Sequence, residues 1–307
     1  MPDPDQSDAA IGNSCDPPVV SDVAPWRAPH IASGLILVAT PIGNLADLPP
    51  RAVAALRQAE LIFCEDTRTS AVLLSHYGIG TATAPLHEHN ERARIPAIVE
   101  RLRAGALIAL ISDAGTPLVS DPGYRLVRAA IEAEVPVSAV PGPNAAVMAL
   151  TLSGLPPQPF LFLGFPPPKE AGRRASFAGL RAAERAGLSA TLIWHEAPHR
   201  LADTLADLME VFSDRDAAVG RELTKRFEEV RRGTLSELLS HYSAEPPRGE
   251  ITLLLGPAPA ERADPEQVDL LLRRALETHS VRDAAALVAT ATGLPRRMVY
   301  ARALAMS

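Results

Sequence analysis

Only two cysteines, Cys15 and Cys64, occur among the 307 residues of this chain. They are too few for a disulfide framework or for a zinc site of their own. No apolar run approaches the roughly 20 residues that a membrane-spanning helix needs. The N-terminus also lacks the basic-then-apolar order of a secretory leader. These absences lead us to expect a soluble, cytoplasmic protein with no membrane partner. Two nucleotide signatures are missing as well. TPIGNL, with a single glycine, follows the first apolar strand where G-x-G-x-x-G would stand, and no P-loop lysine occurs, which disfavours pyrophosphate binding of the dinucleotide or ATP kind. Positive charge is scarce overall, with a net charge of −6. Its distribution matters more than its sum. Residues 1–33 set Asp3, Asp5, Asp8, Asp16 and Asp22 against Arg27 alone, a balance of −4, which leaves −2 for the remainder. Local basic patches, not that total, decide whether phosphate can bind.

What is present is apolar material in short pieces. Apolar residues make up 47% of the chain, and a mass of 32.6 kDa with a mean hydropathy of +0.06 suits two domains and a small appendage. Residues 1–33, rich in Pro, Asp and Ala, read as a disordered tail. From Gly34 short apolar strands alternate with amphipathic helices. Strands are expected at Leu35–Thr40, Leu61–Glu65, Thr83–Leu86, Ala106–Ile111 and Val137–Val140. Helices are expected at Pro50–Gln58, Thr69–Tyr77, Asn90–Arg103, Tyr124–Glu134 and Asn144–Ser153. This pattern predicts a mainly parallel sheet covered on both faces. LPPQP (Leu155–Pro159) breaks it. Strands at Phe160–Gly164, Thr191–His195, Ala217–Arg221, Glu228–Arg232 and Glu250–Leu255, with helices at Arg173–Ala186, His199–Phe212 and Thr234–Tyr242, then predict a mixed sheet with antiparallel pairs. GPAPAERA (Gly256–Ala263) links this to three short helices. The expected domains are therefore 34–154, 155–256 and 264–307, after the tail.

The most informative stretch is SDAGTPLVSDPG, Ser112–Gly123, between an apolar strand and a helix. A plain turn needs only about two to six residues. Twelve residues with two glycines, two prolines and two aspartates suit a small-molecule site at a strand's carboxyl end. Thr40–Leu45 (TPIGNL), Glu65–Arg68 (EDTR) and Pro141–Ala146 (PGPNAA) also follow strands. In a parallel sheet all such loops converge on one edge.

These blocks, in order with LHEHNE, ALTLSGLP, GFPPPKEAGRR, HEAPHRL and RELTKRFEEVRRG, resemble the ribosomal RNA small subunit methyltransferase I family of the tetrapyrrole methylase superfamily. The match covers about 35–255, and the last helices resemble that family's small helical extension. EDTR, SDAGTPLVSDPG and RELTK together are specific, whereas PGP alone is not. The resemblance implies two α/β domains of the tetrapyrrole methylase type with a cofactor cleft between them, plus a helix-turn-helix-like C-terminal extension. It implies S-adenosylmethionine-dependent 2′-O-methylation of a decoding-centre cytidine ribose in 16S rRNA, within the 30S subunit, by a homodimer. Pro41, Asp113, Gly115, Thr116, Val119, Pro141 and Ala145 would line the first-domain side of the cleft, with Leu223 and Ile251 contributed by the second. Another methyl acceptor on the same fold, such as a tetrapyrrole carbon, and a non-enzymatic ribosome-binding module remain the competing readings.

A ribose hydroxyl is a weak nucleophile until its proton is drawn away, so a base within hydrogen-bond reach is expected. Glu65, Asp66, Asp121, Glu222 and Lys225 are the candidates. Each has a structural alternative: an ion pair of Glu65 with Arg68, an Asx-turn or helix cap at Asp121, and a surface pair of Glu222 with Lys225. His87 with His89, and His195 with His199, have spacings that suggest a metal, but no cysteine or carboxylate cluster completes a site and Pro198 spoils the helix, so no metal is expected. Contact with RNA or an exposed polar loop suits them better. For RNA, the expected contacts are Arg68, Lys169, Arg173, Arg174, Arg226, Arg296 and Arg297, from basic clusters suited to phosphate. A solvated helix face is their alternative.

Overall fold

The structure is a computed structural model that describes residues 32–259 and 265–306. The expected tail therefore lies outside the described residues except at 32 and 33, as does part of the 256–263 linker. Strands β1 (Gly34–Val38), β2 (Leu61–Cys64), β3 (Thr83–Pro85), β4 (Leu107–Ile111) and β5 (Val137–Val140) form a sheet of order β3-β2-β4-β1-β5, parallel at every pairing. Period-2 alternation sends Ile36, Val38, Ile62 and Ala109 to one apolar cluster and Leu35, Phe63, Ile108 and Leu110 to another, so both faces are buried. Helices α1 (Pro50–Gln58) and α2 (Thr67–His76) cover the first face, while α3 (Glu91–Arg103) and α4 (Tyr124–Glu132) cover the second.

A second sheet of order β6-β7-β10-β8-β9 comprises β6 (Phe160–Phe162), β7 (Thr191–Glu196), β8 (Asp216–Arg221), β9 (Glu229–Thr234) and β10 (Ile251–Leu255). Only β6 and β7 pair in parallel, and the other three pairings are antiparallel, as the mixed pattern predicted. Leu192, Trp194, Val219, Leu253 and Leu255 face α6 (Glu170–Arg185), α7 (Leu201–Phe212) and α8 (Leu235–Ala244). Ile193, Ala218 and Leu254 point the other way. They meet Ala146, Ala149 and Leu150 of α5 (Ala145–Ser153). That helix follows β5 in the chain, yet it covers the second sheet and joins the two layers. Its sequence, AAVMALTLS, carries no polar face to forbid burial.

Three short helices follow: α9 (Pro265–Leu276), α10 (Val281–Thr292) and α11 (Arg296–Leu304). Val268, Leu272, Ala284, Val288 and Val299 close a core of their own. Ser280 caps α10 by accepting from the Asp283 N–H, and Gly293 ends it at φ 67°. Pro295 stands at the N-cap of α11.

The helix starts differ from expectation where polar side chains decide them. Asp66 accepts the Arg68 N–H and starts α2 two residues before Thr69, so EDTR runs into the first helical turn. Thr234 forms a reciprocal capping box with Glu237, which extends β9 to Thr234 and delays α8. Asn90 is not a side-chain cap: its Oδ1 accepts the His87 N–H.

Candidate active site

The carboxyl ends of β1, β4 and β5 bring three of the predicted loops together. Thr40 and Gly115 exchange both backbone hydrogen bonds, at 2.9 and 3.0 Å, tying TPIGNL to the 112–123 loop. Gly115 adopts φ +80° there, and an added Cβ would stand 3.3 Å from Ile42 Cγ2, so glycine serves both the turn and the open space beyond it. Thr116 Oγ1 donates to the Pro143 carbonyl, linking the same loop to PGPN. Asn144 caps α5 by accepting the Val147 N–H. Non-glycine residues with left-handed backbone also gather at this edge: Leu118 and Ser120 in one loop, Glu222 and Thr224 in RELTK across from it. Such conformations concentrate where a site over-determines the backbone.

Between the two layers lies a cavity of about 360 Å³. Gly115, Thr116, Val119, Ala145, Leu223 and Ile251, all expected at a cofactor cleft, line it. Pro41, Asp113 and Pro141 do not. Pro141 borders a separate hollow with Asp47, Met148 and Thr224. The Asp113 carboxylate accepts the Asp66 N–H at 3.1 Å and lines a second cavity, of about 540 Å³, with Glu65, Asp66, Arg68, His87 and His89.

The expected base candidates separate cleanly. Asp121 lines the first cavity. Burial pushes its carboxyl up to about 6, assisted by the negative charges of Glu65 and Asp113 and opposed by the Ser112 hydroxyl. Asp66 goes the other way. The Arg68 guanidinium, at 2.7 and 3.1 Å, holds it down to about 2. The ion pair of this loop is therefore Asp66–Arg68, not Glu65–Arg68, because capping α2 turns Asp66 towards the same side chain. The Glu65 carboxylate makes no hydrogen bond or ion pair among the described residues. Glu222 accepts the Glu250 N–H and Lys225 Nζ, each at 3.0 Å, which lowers its pKa in that order of effect. Burial pulls Lys225 down, but Glu222 and Glu250 outweigh it and keep the amine above its ordinary value, so it is a cation and not a neutral base. Among the described residues no cluster of three or more His, Cys, Asp or Glu could hold a metal ion.

The basic clusters need correction. Arg173 is 4% exposed and bound to Asp207 at 2.6 Å, so it cannot meet phosphate. Arg174 is spent on Asp207, Glu170 and Glu210. Arg221 and Arg231 share Glu229. Counting charges along the chain missed Asp207 and Glu210 because they come from another helix, α7. Lys169, Arg226, Arg296 and Arg297 remain exposed, with Arg226 stacked over Phe227, and the Arg68 side chain is 90% exposed despite its partner.

Several cleft residues were not expected there, His195 foremost among them. His195, for which a polar loop or an RNA contact was expected, stands near the end of β7 and faces the first cavity. Its ring lies 4.9 Å from Phe162 and 5.6 Å from Phe165, with Nδ1 3.3 Å from Thr252 Oγ1. Burial lowers its pKa against the pull of Glu250. A histidine at the end of an apolar strand was the available signal.

Two layers joined by α5, with a cleft at the strand ends, define a class. Residues 34–239 match the family described as Tetrapyrrole (Corrin/Porphyrin) Methylases, and 262–307 match the RsmI C-terminal HTH domain. A conserved hypothetical protein of Aeropyrum pernix K1 shares the fold, with a TM-score of 0.56 at 18% identity over 89% of this chain and 95% of that one. "Ribosomal RNA small subunit methyltransferase I" of Mesorhizobium japonicum is 48% identical over 88% of this chain and 91% of its own. Its namesake in Pseudomonas aeruginosa is 44% identical over 89% and 97%. The chain belongs to the ribosomal RNA small subunit methyltransferase I family of the tetrapyrrole methylases.

Proposed function

We propose that this protein is an S-adenosylmethionine-dependent methyltransferase of small-subunit ribosomal RNA, acting on the ribose 2′-hydroxyl of a decoding-centre cytidine in 16S rRNA. The observation that carries the proposal is the cavity between the layers, with a raised carboxylate at its wall. Its volume suits a small-molecule site. Ile42, Val119, Leu223 and Ile251 offer apolar surface, while Asp121 and Glu250 offer negative charge. That combination fits a ligand with an aromatic ring, hydroxyls and a positive centre. Gly115, Thr116, Ala145 and Leu223 would hold it, and when bound it supplies an electrophilic methyl group.

The chain's own residues supply the rest. Asp121 accepts the proton of the acceptor hydroxyl at a carboxylate oxygen, since its pKa of about 6 leaves it ionised yet basic at neutral pH. Thr40 and Gly115 hold the loop that carries it. His195, whose pKa burial lowers, lines the same cavity with Phe165 and limits water there. Asp66, Glu222 and Lys225 serve the scaffold through their ion pairs. The homodimer and the assembled 30S subunit as substrate belong to the same proposal.

No helix among the described residues is long and apolar enough to cross a membrane. Arg296 and Arg297 open α11 without ion pairs among the described residues, and we assign them to phosphate contact. Replacing both with Ala weakens RNA binding about equally for different sequences and reduces the salt slope by about 1 per arginine removed. Fluorescence titration across ionic strength measures this. An unchanged slope would assign α11 to packing.

The function itself is tested by incubating the protein with methyl-labelled S-adenosylmethionine and undermethylated 30S subunits, then mapping label by mass spectrometry. Label on a decoding-centre cytidine ribose is the expected result. Cofactor binding without label on RNA, beside a control enzyme active on the same subunits, would shift the reading to a small-molecule acceptor.

A further inference from the structure

The second cavity shares no lining residue with the first, yet Asp113 of one and Ala114 of the other are neighbours in the chain. Asp113 lines it, and the charges of Asp113 and Glu65 reach Asp121 in the first. Its walls are the start of α2 and the loop from Pro85 to His89. Glu65, Asp66 and Asp113 stand against the single guanidinium of Arg68, so an anion such as phosphate is repelled from it. No metal-holding cluster exists there among the described residues.

Three features of this cavity point to a flat, neutral ring that carries an amino group. Glu65 is an exposed carboxylate with no hydrogen-bond partner among the described residues, free to accept. The Arg68 guanidinium is held flat by two hydrogen bonds to Asp66, at 2.7 and 3.1 Å, with its side chain 90% exposed. Such a plane is a stacking surface for a base. His87 supplies the third. Asn90 Nδ2 donates to the Pro85 carbonyl and lies 3.0 Å from His87 Nε2, while Asn90 Oδ1 accepts the His87 N–H. The amide orientation is thereby set, so His87 Nε2 accepts from Asn90 and Nδ1 is the ring nitrogen left to donate. That Nδ1 is buried without a partner, and the exposed ring of His89 lies 6.1 Å from the His87 ring, centroid to centroid. A buried donor left without an acceptor beside a cavity calls for one from outside the chain.

We propose that this cavity is a nucleobase pocket, which receives an unpaired base from the RNA and reads its exocyclic amino group with Glu65. The base stacks on Arg68, its amino N–H donates to the Glu65 carboxylate, and the His87 N–H meets the adjacent ring nitrogen once His89 turns aside. A uracil fails at both points, because it presents a carbonyl to Glu65 and an N–H to His87. The ribose of the seated nucleotide then lies towards Asp121. The inference rests on the ribose-methylation reading above but assigns a separate set of residues.

The test compares 30S subunits carrying C or U at the methylated position, at pH 8, where Asp121 is ionised. Wild type is expected to favour C by about tenfold or more in kcat/KM, since an unpaired buried polar group rejects the wrong partner. Glu65→Gln, whose amide can donate as well as accept, is expected to collapse that ratio while cofactor titration and thermal melting stay as in wild type. Arg68→Ala is expected to weaken both substrates alike and leave the ratio unchanged. Equal use of C and U by wild type, or an unaltered ratio in Glu65→Gln, would overturn the pocket. If wild type binds cofactor but methylates neither substrate, the ribose reading fails on its own. Fluorescence anisotropy with oligo(C) and oligo(U) ribonucleotides then decides the pocket, with a preference for C that is lost in Glu65→Gln upholding it and no preference overturning it.

Discussion

Asp121→Asn is expected to lower kcat by about 10²–10⁴, the usual contribution of a general base, with little change in KM for either substrate. The side chain keeps its size and its hydrogen-bonding oxygen but cannot take a proton. In wild type kcat/KM should rise as the carboxyl ionises, reaching half its plateau near pH 6, because burial and the neighbouring charges of Glu65 and Asp113 hold the pKa at about 6. The variant should lose that limb. Stability moves in the opposite sense. An unfolded aspartate ionises near pH 3.9, so between there and about pH 6 the folded protein binds more protons and its stability falls as pH rises. Above that window wild type carries the full cost of an ionised, half-buried carboxylate, and Asp121→Asn does not. Its melting temperature should therefore match or exceed wild type at pH 8, with the advantage shrinking towards pH 4. Single-turnover rates and melts across that range measure both. A wild-type rate in the variant would move proton acceptance off Asp121.

Asp207→Ala is expected to cost about 3–5 kcal/mol, the usual penalty for leaving one partner of a buried ion pair without the other. Asp207 on α7 is 3% exposed. It accepts from Arg173 Nε at 2.6 Å and from Arg174 Nε at 2.7 Å, both on α6. Removing it strands the Arg173 guanidinium between two helices of the second layer. Denaturant melts should show the loss directly. Arg173→Met with Asp207→Leu should recover much of it, because apolar side chains of similar volume replace the pair without a desolvation cost. Arg173→Met alone should leave the salt dependence of RNA binding unchanged. A loss of RNA affinity with no loss of stability would restore Arg173 to the RNA-binding surface.

The error over Arg173 shows where a sequence stops being legible. KEAGRR reads locally as a basic patch, and its lysine is exposed as that reading requires. The neutralising carboxylate sits 34 residues further on, and nothing within one helical turn points to it. The same limit applies at EDTR. Two adjacent carboxylates stand near one arginine in the sequence there, and capping chemistry at the start of α2 decided that Asp66, not Glu65, would hold Arg68. It thereby left Glu65 free to accept from outside the chain.

By itself the sequence determined the strands and helices and the loops that end on one edge of the parallel sheet. The signals for these are local: apolar alternation over a few residues, then glycine and proline. The loops that carry Gly115, Thr116, Val119 and Ala145 could be placed on that edge on this basis. Tertiary structure decided what faces them. It laid α5 across the second sheet, brought His195 and Glu250 to the same cavity, and set Asp121 within reach of the charges of Glu65 and Asp113. A carboxylate's basicity depends on its burial and on charges a few ångströms away. Those neighbours come from distant parts of the chain, so only the folded molecule distinguishes a base from an ion-pair partner.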